Sequence, residues 1–356
     1  MKRLLFLYAL VLCTLSAAAQ NISTRVTGKA GDVETVYLLP VNAKYVTDSA
    51  KVVNGMFGMN VNGVKNSVAF ITTKNKGRVL IITDGMPVKV NLKKGTVEGS
   101  ELGVKLNDIY RNLEQKTSEV ELTYAKFKEL KEQGDKADKA ELKKISEQLN
   151  AEGSEIVRLT LNGINENKDN IIGLYLVNKV YGDLHPEYLM RYVNSIRNTE
   201  LYDSPLMDVI KKYIESTENR FMGLSFPDRN NKLHKMGEWC GKNKVVLVDF
   251  GTSWSMQFVH KMPKLIEIYN KYKNSGMEVI SVSFDDDRNV CLNSFKALGI
   301  QWPLLFGAGA WEKDSGKPYG INSVPSNVLI DRNGRFIAFN IYGDELKNKL
   351  NEIFGK

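Results

Sequence analysis

Lys244-Val245-Val246-Leu247-Val248-Asp249-Phe250, followed by Gly251-Thr252-Ser253-Trp254-Ser255-Met256-Gln257-Phe258, decides the fold. The first seven residues are apolar almost throughout. They are too few for a helix and suit a strand buried on both faces of a sheet. From Phe258 to Lys273 the pattern changes to a helical period, with Val259, Met262, Leu265, Ile266 and Tyr269 on one side. Met277 to Phe284 reads as a second buried strand and Asn289 to Leu298 as a second helix. Strand, helix, strand in this rhythm is a right-handed βαβ unit. Beyond it come Val324-Pro325, a strand Asn327 to Ile330, a turn at Asn333-Gly334, a strand Arg335 to Ile341, and a closing helix from Asp344.

Working outward, the 356 residues exceed one typical domain. Residues 20–100 contain short β-rich runs: Ile22 to Val26, Thr35 to Leu39, Lys51 to Phe57, Ser67 to Thr72, Val79 to Thr83 and Val88 to Leu92. Turn residues separate them, among them Gly28, Asn54-Gly55, Asn62-Gly63 and Asp84-Gly85. This spacing predicts a small all-β sandwich or barrel. Residues 101–222 are helical in pattern. Leu106, Ile109, Leu113, Val120, Tyr124, Phe127 and Leu130 recur mostly at three- and four-residue steps, and Gly134-Asp135 breaks the run before a second long helix. A helical hairpin is expected, with the Lys- and Glu-rich stretch 126–144 as a solvated face. Residues 223–356 form the α/β part.

Met1-Lys2-Arg3, the apolar run Leu4 to Leu15 and the small residues Ala17-Ala18-Ala19 have the pattern of a secretory signal peptide over residues 1–19. The expected location is therefore exported and periplasmic, with cleavage before Gln20. A lipid anchor at Cys13 is disfavoured by the bulky Leu12 ahead of it. The formal charge of +8 becomes +6 without Lys2 and Arg3. No basic stripe interleaved with aromatics is present, so nucleic acid is not an expected partner. Cys240 and Cys291 are the cysteines outside the leader. They are too far apart for a local metal motif, and His185, His234 and His260 are scattered, so no metal site and no cofactor are expected.

The C-terminal part resembles the thioredoxin-like TlpA/ResA type, grouped with the AhpC/TSA peroxiredoxin-like superfamily. The resemblance rests on Phe226-Pro227-Asp228, Lys244 to Phe250 leading into Trp254, Met262-Pro263, and Ser281-Val282-Ser283-Phe284-Asp285. It continues through Tyr319-Gly320 and Val324-Pro325 into Leu329-Ile330-Asp331-Arg332-Asn333-Gly334. It implies an α/β thioredoxin fold for residues 223–356. More weakly, Asp48-Ser49, Asn54-Gly55-Met56-Phe57 and Gly99-Ser100-Glu101-Leu102 resemble the N-terminal region that precedes such domains in Bacteroidetes proteins.

The resemblance also implies thiol–disulfide exchange at a Trp-Cys-x-x-Cys motif, and there this sequence departs. Trp254 is present, but the cysteine positions hold Ser255 and Phe258. Serine oxygen cannot exchange disulfides, and a phenyl ring has no redox chemistry. The family's helix acid is replaced by Lys261, and its Arg after the second cysteine by Val259. Ser255 reads as a helix N-cap and Phe258 as a core residue. His260 lies on another helix face from Ser255, so no serine nucleophile is assembled. Val324-Pro325 is, by resemblance, the cis-proline dipeptide opposite the motif, where relatives pair with an extended substrate segment. The expected function is a non-catalytic module that binds a protein or peptide segment, or an envelope partner, through Trp254, Ser255, Met256, Gln257, Val324 and Pro325. The alternative is a thiol–disulfide oxidoreductase that uses Cys240 and Cys291 or the thiols of a partner.

Overall fold

The computed structural model describes residues 21–74, 77–134, 137–307, 319, 321 and 323–355. The leader and Gly320 lie outside the described residues. The chain divides into two compact units: residues up to Val180 with Val193–Val209, and Tyr181–Tyr192 with Ile210–Lys356.

In the first unit the strands are β1 (Asn21–Lys29), β2 (Thr35–Pro40), β3 (Asp48–Lys51), β4 (Met56–Val64), β5 (Ser67–Thr72), β6 (Arg78–Thr83), β7 (Val88–Asn91) and β8 (Thr96–Glu98). They form two four-stranded sheets, β4-β1-β7-β8 and β3-β2-β5-β6. Alternate residues of each sheet point inward to one shared core that includes Val26, Val36, Met59, Ile71 and Ile81. The all-β expectation holds, with three local corrections. The run Lys51 to Phe57 is not one strand. Asn54 and Gly55, at φ 52° and 72°, turn the chain between β3 and β4, and Val53 and Met56 exchange backbone hydrogen bonds of 2.9 and 3.0 Å across them. Asn62-Gly63 is not a turn but part of β4, paired with β1; the chain turns instead near Asn66, at φ 59°. Gly28 lies inside β1 because β7 passes so close that a Cβ there would meet the Val90 carbonyl oxygen at 2.3 Å.

The helical hairpin is present as α1 (Glu101–Glu132) and α2 (Lys139–Glu166), with Ser100 and Asp138 as N-caps. A buried Asn107 fixes α1 to the strands. Its Oδ1 accepts from the Leu80 amide at 3.1 Å, and its Nδ2 donates to the Gly95 carbonyl at 3.0 Å. The helix α3 (Ile171–Val180) is buried from Ile171 to Asn178. Next come α4 (Pro186–Ile196) and α5 (Pro205–Gly223).

The second unit adds the short pair β9 (Ser225–Pro227) and β10 (Leu233–Lys235). Then follow β11 (Val245–Gly251), α6 (Met256–Tyr272), β12 (Met277–Ser283), α7 (Arg288–Ala297), β13 (Leu304–Phe306), β14 (Ser326–Asp331), β15 (Phe336–Phe339) and α8 (Gly343–Phe354). Strand order is β13-β12-β11-β14-β15. β11 pairs parallel with β12 and antiparallel with β14. This is the βαβ unit and hairpin that the sequence predicts, with β13 as an added edge strand. Both faces of the sheet are covered. Val245 and Leu247 pack on one side with residues of α6, α7 and α8. Val246, Val248 and Phe250 pack on the other with Phe221 of α5, Phe226 and Met236. That two-sided burial is why β11 reads as a continuous apolar run.

Candidate functional site

The site forms where β11 ends and α6 begins. Ser255 is the N-cap of α6: its Oγ accepts a hydrogen bond from the Phe258 amide at 3.4 Å, and its carbonyl accepts from the Val259 amide at 3.0 Å. A serine cap is worth about 1 kcal/mol. Trp254 and Met256 stand out into solvent, 75% and 74% exposed. Gln257 and His260 are also exposed. Phe258 turns the other way and is 1% exposed, its ring stacked on Phe295 at a centroid distance of 5.8 Å. The space it fills exists because residue 251 is glycine. A Cβ at Gly251 would lie 2.2 Å from the Phe258 ring.

The Val324–Pro325 peptide bond is cis. Phe250 pairs with Ser326 across β11 and β14, so the register sets Pro325 level with Gly251, at the same end of the sheet as the Trp254 loop. The structure thus brings Trp254, Ser255, Met256 and Gln257 to one end of the sheet together with Val324 and Pro325.

Two buried carboxylates belong to this end, and the sequence singled out neither as a site residue. Asp285, 4% exposed, ties down the loop ahead of α6. Its oxygens accept from the Ser253 amide at 2.9 and 3.1 Å, the Ser253 hydroxyl at 2.8 Å and the Ser283 hydroxyl at 2.6 Å. A carboxylate with this many donors is well compensated for its burial. Asp285→Ala is expected to cost about 2–4 kcal/mol and to free the Ser253 amide for hydrogen exchange. An unchanged exchange rate at Ser253 would remove this role.

Asp249 is the opposite case. It is fully buried, and neither oxygen has a hydrogen-bond partner among the described residues. Two-residue alternation puts it on the face of Val245 and Leu247, toward α6. Burial pushes its carboxyl up to about 7, opposed by the positive charge of Lys261. Burial likewise lowers Lys261 from the usual lysine value, with Asp249 acting against it. The Lys261 ammonium lies 3.5 Å from the centroid of the Tyr342 ring, a cation–π contact. In sequence, Asp249 was legible only as a charge inside an apolar strand.

The thiols expected as an alternative, Cys240 and Cys291, lie outside the helix-cap stretch Trp254 to Phe258. Both are free. Cys240 follows the turn Met236–Trp239 and lies 3.7 Å from the Met222 sulfur; burial pushes its thiol up to about 11. Cys291 is buried within α7, and burial pushes it up to about 12. A nucleophilic cysteine needs the reverse shift.

Residues 243–336 match the family model described as thioredoxin-like. That stretch of the C-terminal domain is thioredoxin-like. It is similar to the thiol-disulfide oxidoreductase ResA of Bacillus thuringiensis subsp. konkukian, at 30% identity over 115 residues. That match takes in 32% of this chain and 64% of ResA, so it spans under two thirds of the relative's length. ResA of Geobacillus thermodenitrificans is 22% identical over 129 residues, covering 35% of this chain and 71% of that protein. Among solved structures, the thioredoxin domain of a thiol-disulfide oxidoreductase from Bacteroides vulgatus is 24% identical with a TM-score of 0.34, covering 37% of this chain and 92% of that one. A thiol-disulfide oxidoreductase from Bacteroides fragilis is 24% identical with a TM-score of 0.34, covering 36% and 96%. No helix among the described residues is long and apolar enough to cross a membrane, and no group of three or more His, Cys, Asp or Glu among them is arranged to hold a metal ion.

Proposed function

We propose that this thioredoxin-like protein is redox-inactive and binds an extended protein segment at the end of its sheet. The reading rests above all on Ser255 and Phe258. Where the TlpA/ResA type carries its two cysteines, one position is a helix cap and the other a buried ring. Neither can form a mixed disulfide. The reading is supported by the exposure of Trp254 and Met256 and by Val324, which precedes a cis proline at the same sheet end. An exposed aromatic side chain near a cis-proline turn suits contact with an extended segment. The basic and apolar pattern of Met1 to Gln20 supports export as the setting.

Insulin reduction by dithiothreitol is expected to proceed at the background rate with the purified protein, with Cys240→Ala and with Cys291→Ala. Turnover that disappears in either variant would overturn the proposal in favour of an oxidoreductase using those thiols. Carboxymethylated insulin B chain, an extended peptide without thiols, is expected to bind the native protein and to bind Trp254→Ala about tenfold more weakly. Equal binding by the two proteins would remove the groove from the proposal.

A further inference from the structure

A second cavity lies apart from the Trp254 loop. It has a volume of about 850 Å³, within the usual range for small-ligand sites. One wall comes from the β9–β10 hairpin and the turn after it, with Asp228, His234 and Trp239. The other comes from α7 and the segment that leads into β13, with Leu292, Ile300 and Pro303. Lys242 on its rim precedes β11, whereas the Trp254 loop follows β11. A seven-residue strand, about 23 Å long, separates the two.

The cavity walls are fixed. The Trp302 indole donates to the Ser281 hydroxyl at 2.9 Å and stacks edge-on against Tyr269. His234 is held on both sides, 2.9 Å from Glu238 through Nδ1 and 3.5 Å from Asp228 through Nε2, with its ring 5.7 Å from that of Trp239. Both acids have further partners. Asp228 accepts from the Asn230 and Lys232 amides at 2.8 and 2.9 Å, and Glu238 accepts from the Lys235 amide at 2.9 Å. The cations are differently placed. Arg229, Lys242 and Lys296 line the same opening, and none of their side chains has a hydrogen bond or ion pair among the described residues. The opening therefore offers an apolar floor, acids already engaged with one another's histidine, and three positive charges with nothing opposite them.

We propose that this cavity binds a small amphipathic organic anion. Its apolar body lies against Leu292, Ile300, Pro303 and Leu304, and its acidic group faces Arg229, Lys242 and Lys296. A neutral apolar ligand leaves the three cations unmatched, and a cation is repelled by them. This site is independent of the peptide-binding proposal and stands if that one fails.

The probe is 1-anilinonaphthalene-8-sulfonate, titrated into the full chain, with uncharged N-phenyl-1-naphthylamine as its neutral counterpart. The sulfonate is expected to bind saturably at one site per chain. Reversing the rim charges with Lys242→Glu and Lys296→Glu together is expected to weaken it about tenfold or more while leaving the neutral probe within about twofold. The same charge change on α1 and α2, Lys126→Glu with Lys143→Glu, is expected to leave both probes unaffected. Circular dichroism melting confirms that each variant is folded. Non-saturable binding to the native chain overturns the proposal. So does sulfonate binding that survives the rim reversal, or that weakens equally with the α1 and α2 reversal.

Discussion

Phe258→Ala is expected to destabilise the thioredoxin-like unit by about 3–5 kcal/mol, the usual cost of deleting a fully buried aromatic ring. The ring is 1% exposed and belongs to the core cluster that contains Met262, Leu265 and Phe295. Tryptophan fluorescence in a urea titration measures this directly, because Trp239, Trp254 and Trp302 lie in the second unit. The effect has a partner at Gly251. Gly251→Ala alone puts a methyl group 2.2 Å from the buried ring, so it is expected to cost about 1–3 kcal/mol or more. With Phe258→Ala in place the obstruction is gone, and the Gly251→Ala penalty is expected to shrink. A cycle in which the two costs simply add would mean that residue 251 is not small on account of Phe258. The same contacts bear on restoring a dithiol. Ser255→Cys with Phe258→Cys is expected to gain insulin reduction and to lose stability, since cysteine does not fill the ring's volume. A folded but inactive dithiol variant would count against the placement of the site.

Asp249→Asn is expected to make the protein more stable than the native chain at pH 8, with the advantage fading toward pH 4. Burial raises the folded-state value of this carboxyl to about 7. Between the ordinary carboxylate range and that value, the native state holds a proton that the unfolded chain has released. Native stability therefore falls as pH rises through this window and levels off above it. For a shift of about three units the total is at most about 4 kcal/mol. Asparagine has no such proton to lose. Lys261 on α6 and the Tyr342 hydroxyl face the same carboxyl. Burial raises the tyrosine value, with Asp249 adding to it, while Asp249 opposes the burial that lowers the lysine. Lys261→Met is accordingly expected to steepen the native pH dependence by removing the one positive charge that favours the carboxylate. Urea titrations at pH 4.5 and 8 test both variants. If the difference between Asp249→Asn and the native chain is the same at the two pH values, Asp249 does not titrate in this window.

Most of the fold was legible because the signals were local. A strand buried on both faces is written as Val245 to Val248, and α6 as an apolar step of three and four residues from Val259 to Tyr269. The turn at Asn333-Gly334 needed only the tolerance of glycine for φ 79°. The misread turns have a different cause. Asn62-Gly63 carries turn chemistry but pairs with β1, because nine consecutive residues of β1 impose a register that overrides local preference. Gly28 marked a break in the sequence, whereas the structure uses it for a close approach between strands.

The same division runs through the site. The identity of Ser255 and Phe258 alone states that neither position holds a thiol, since chemistry at a position follows from the atoms present. The cap of α6 was equally local, because a serine before a helix accepts the amide three residues on. What those atoms do otherwise was decided only in three dimensions. In the sequence, Asp249 is an acid inside one apolar strand and Asp285 an acid just past another. One is left without donors inside the sheet, and the other gathers Ser253 and Ser283 around it. The glycine at 251 acquires its reason only when the Phe258 ring is laid against it. Single-residue patterns fix which elements form and which reactions the side chains permit. Solvation, donors and neighbouring volume come from residues distant in sequence, so the energy of each buried group is set by the tertiary structure.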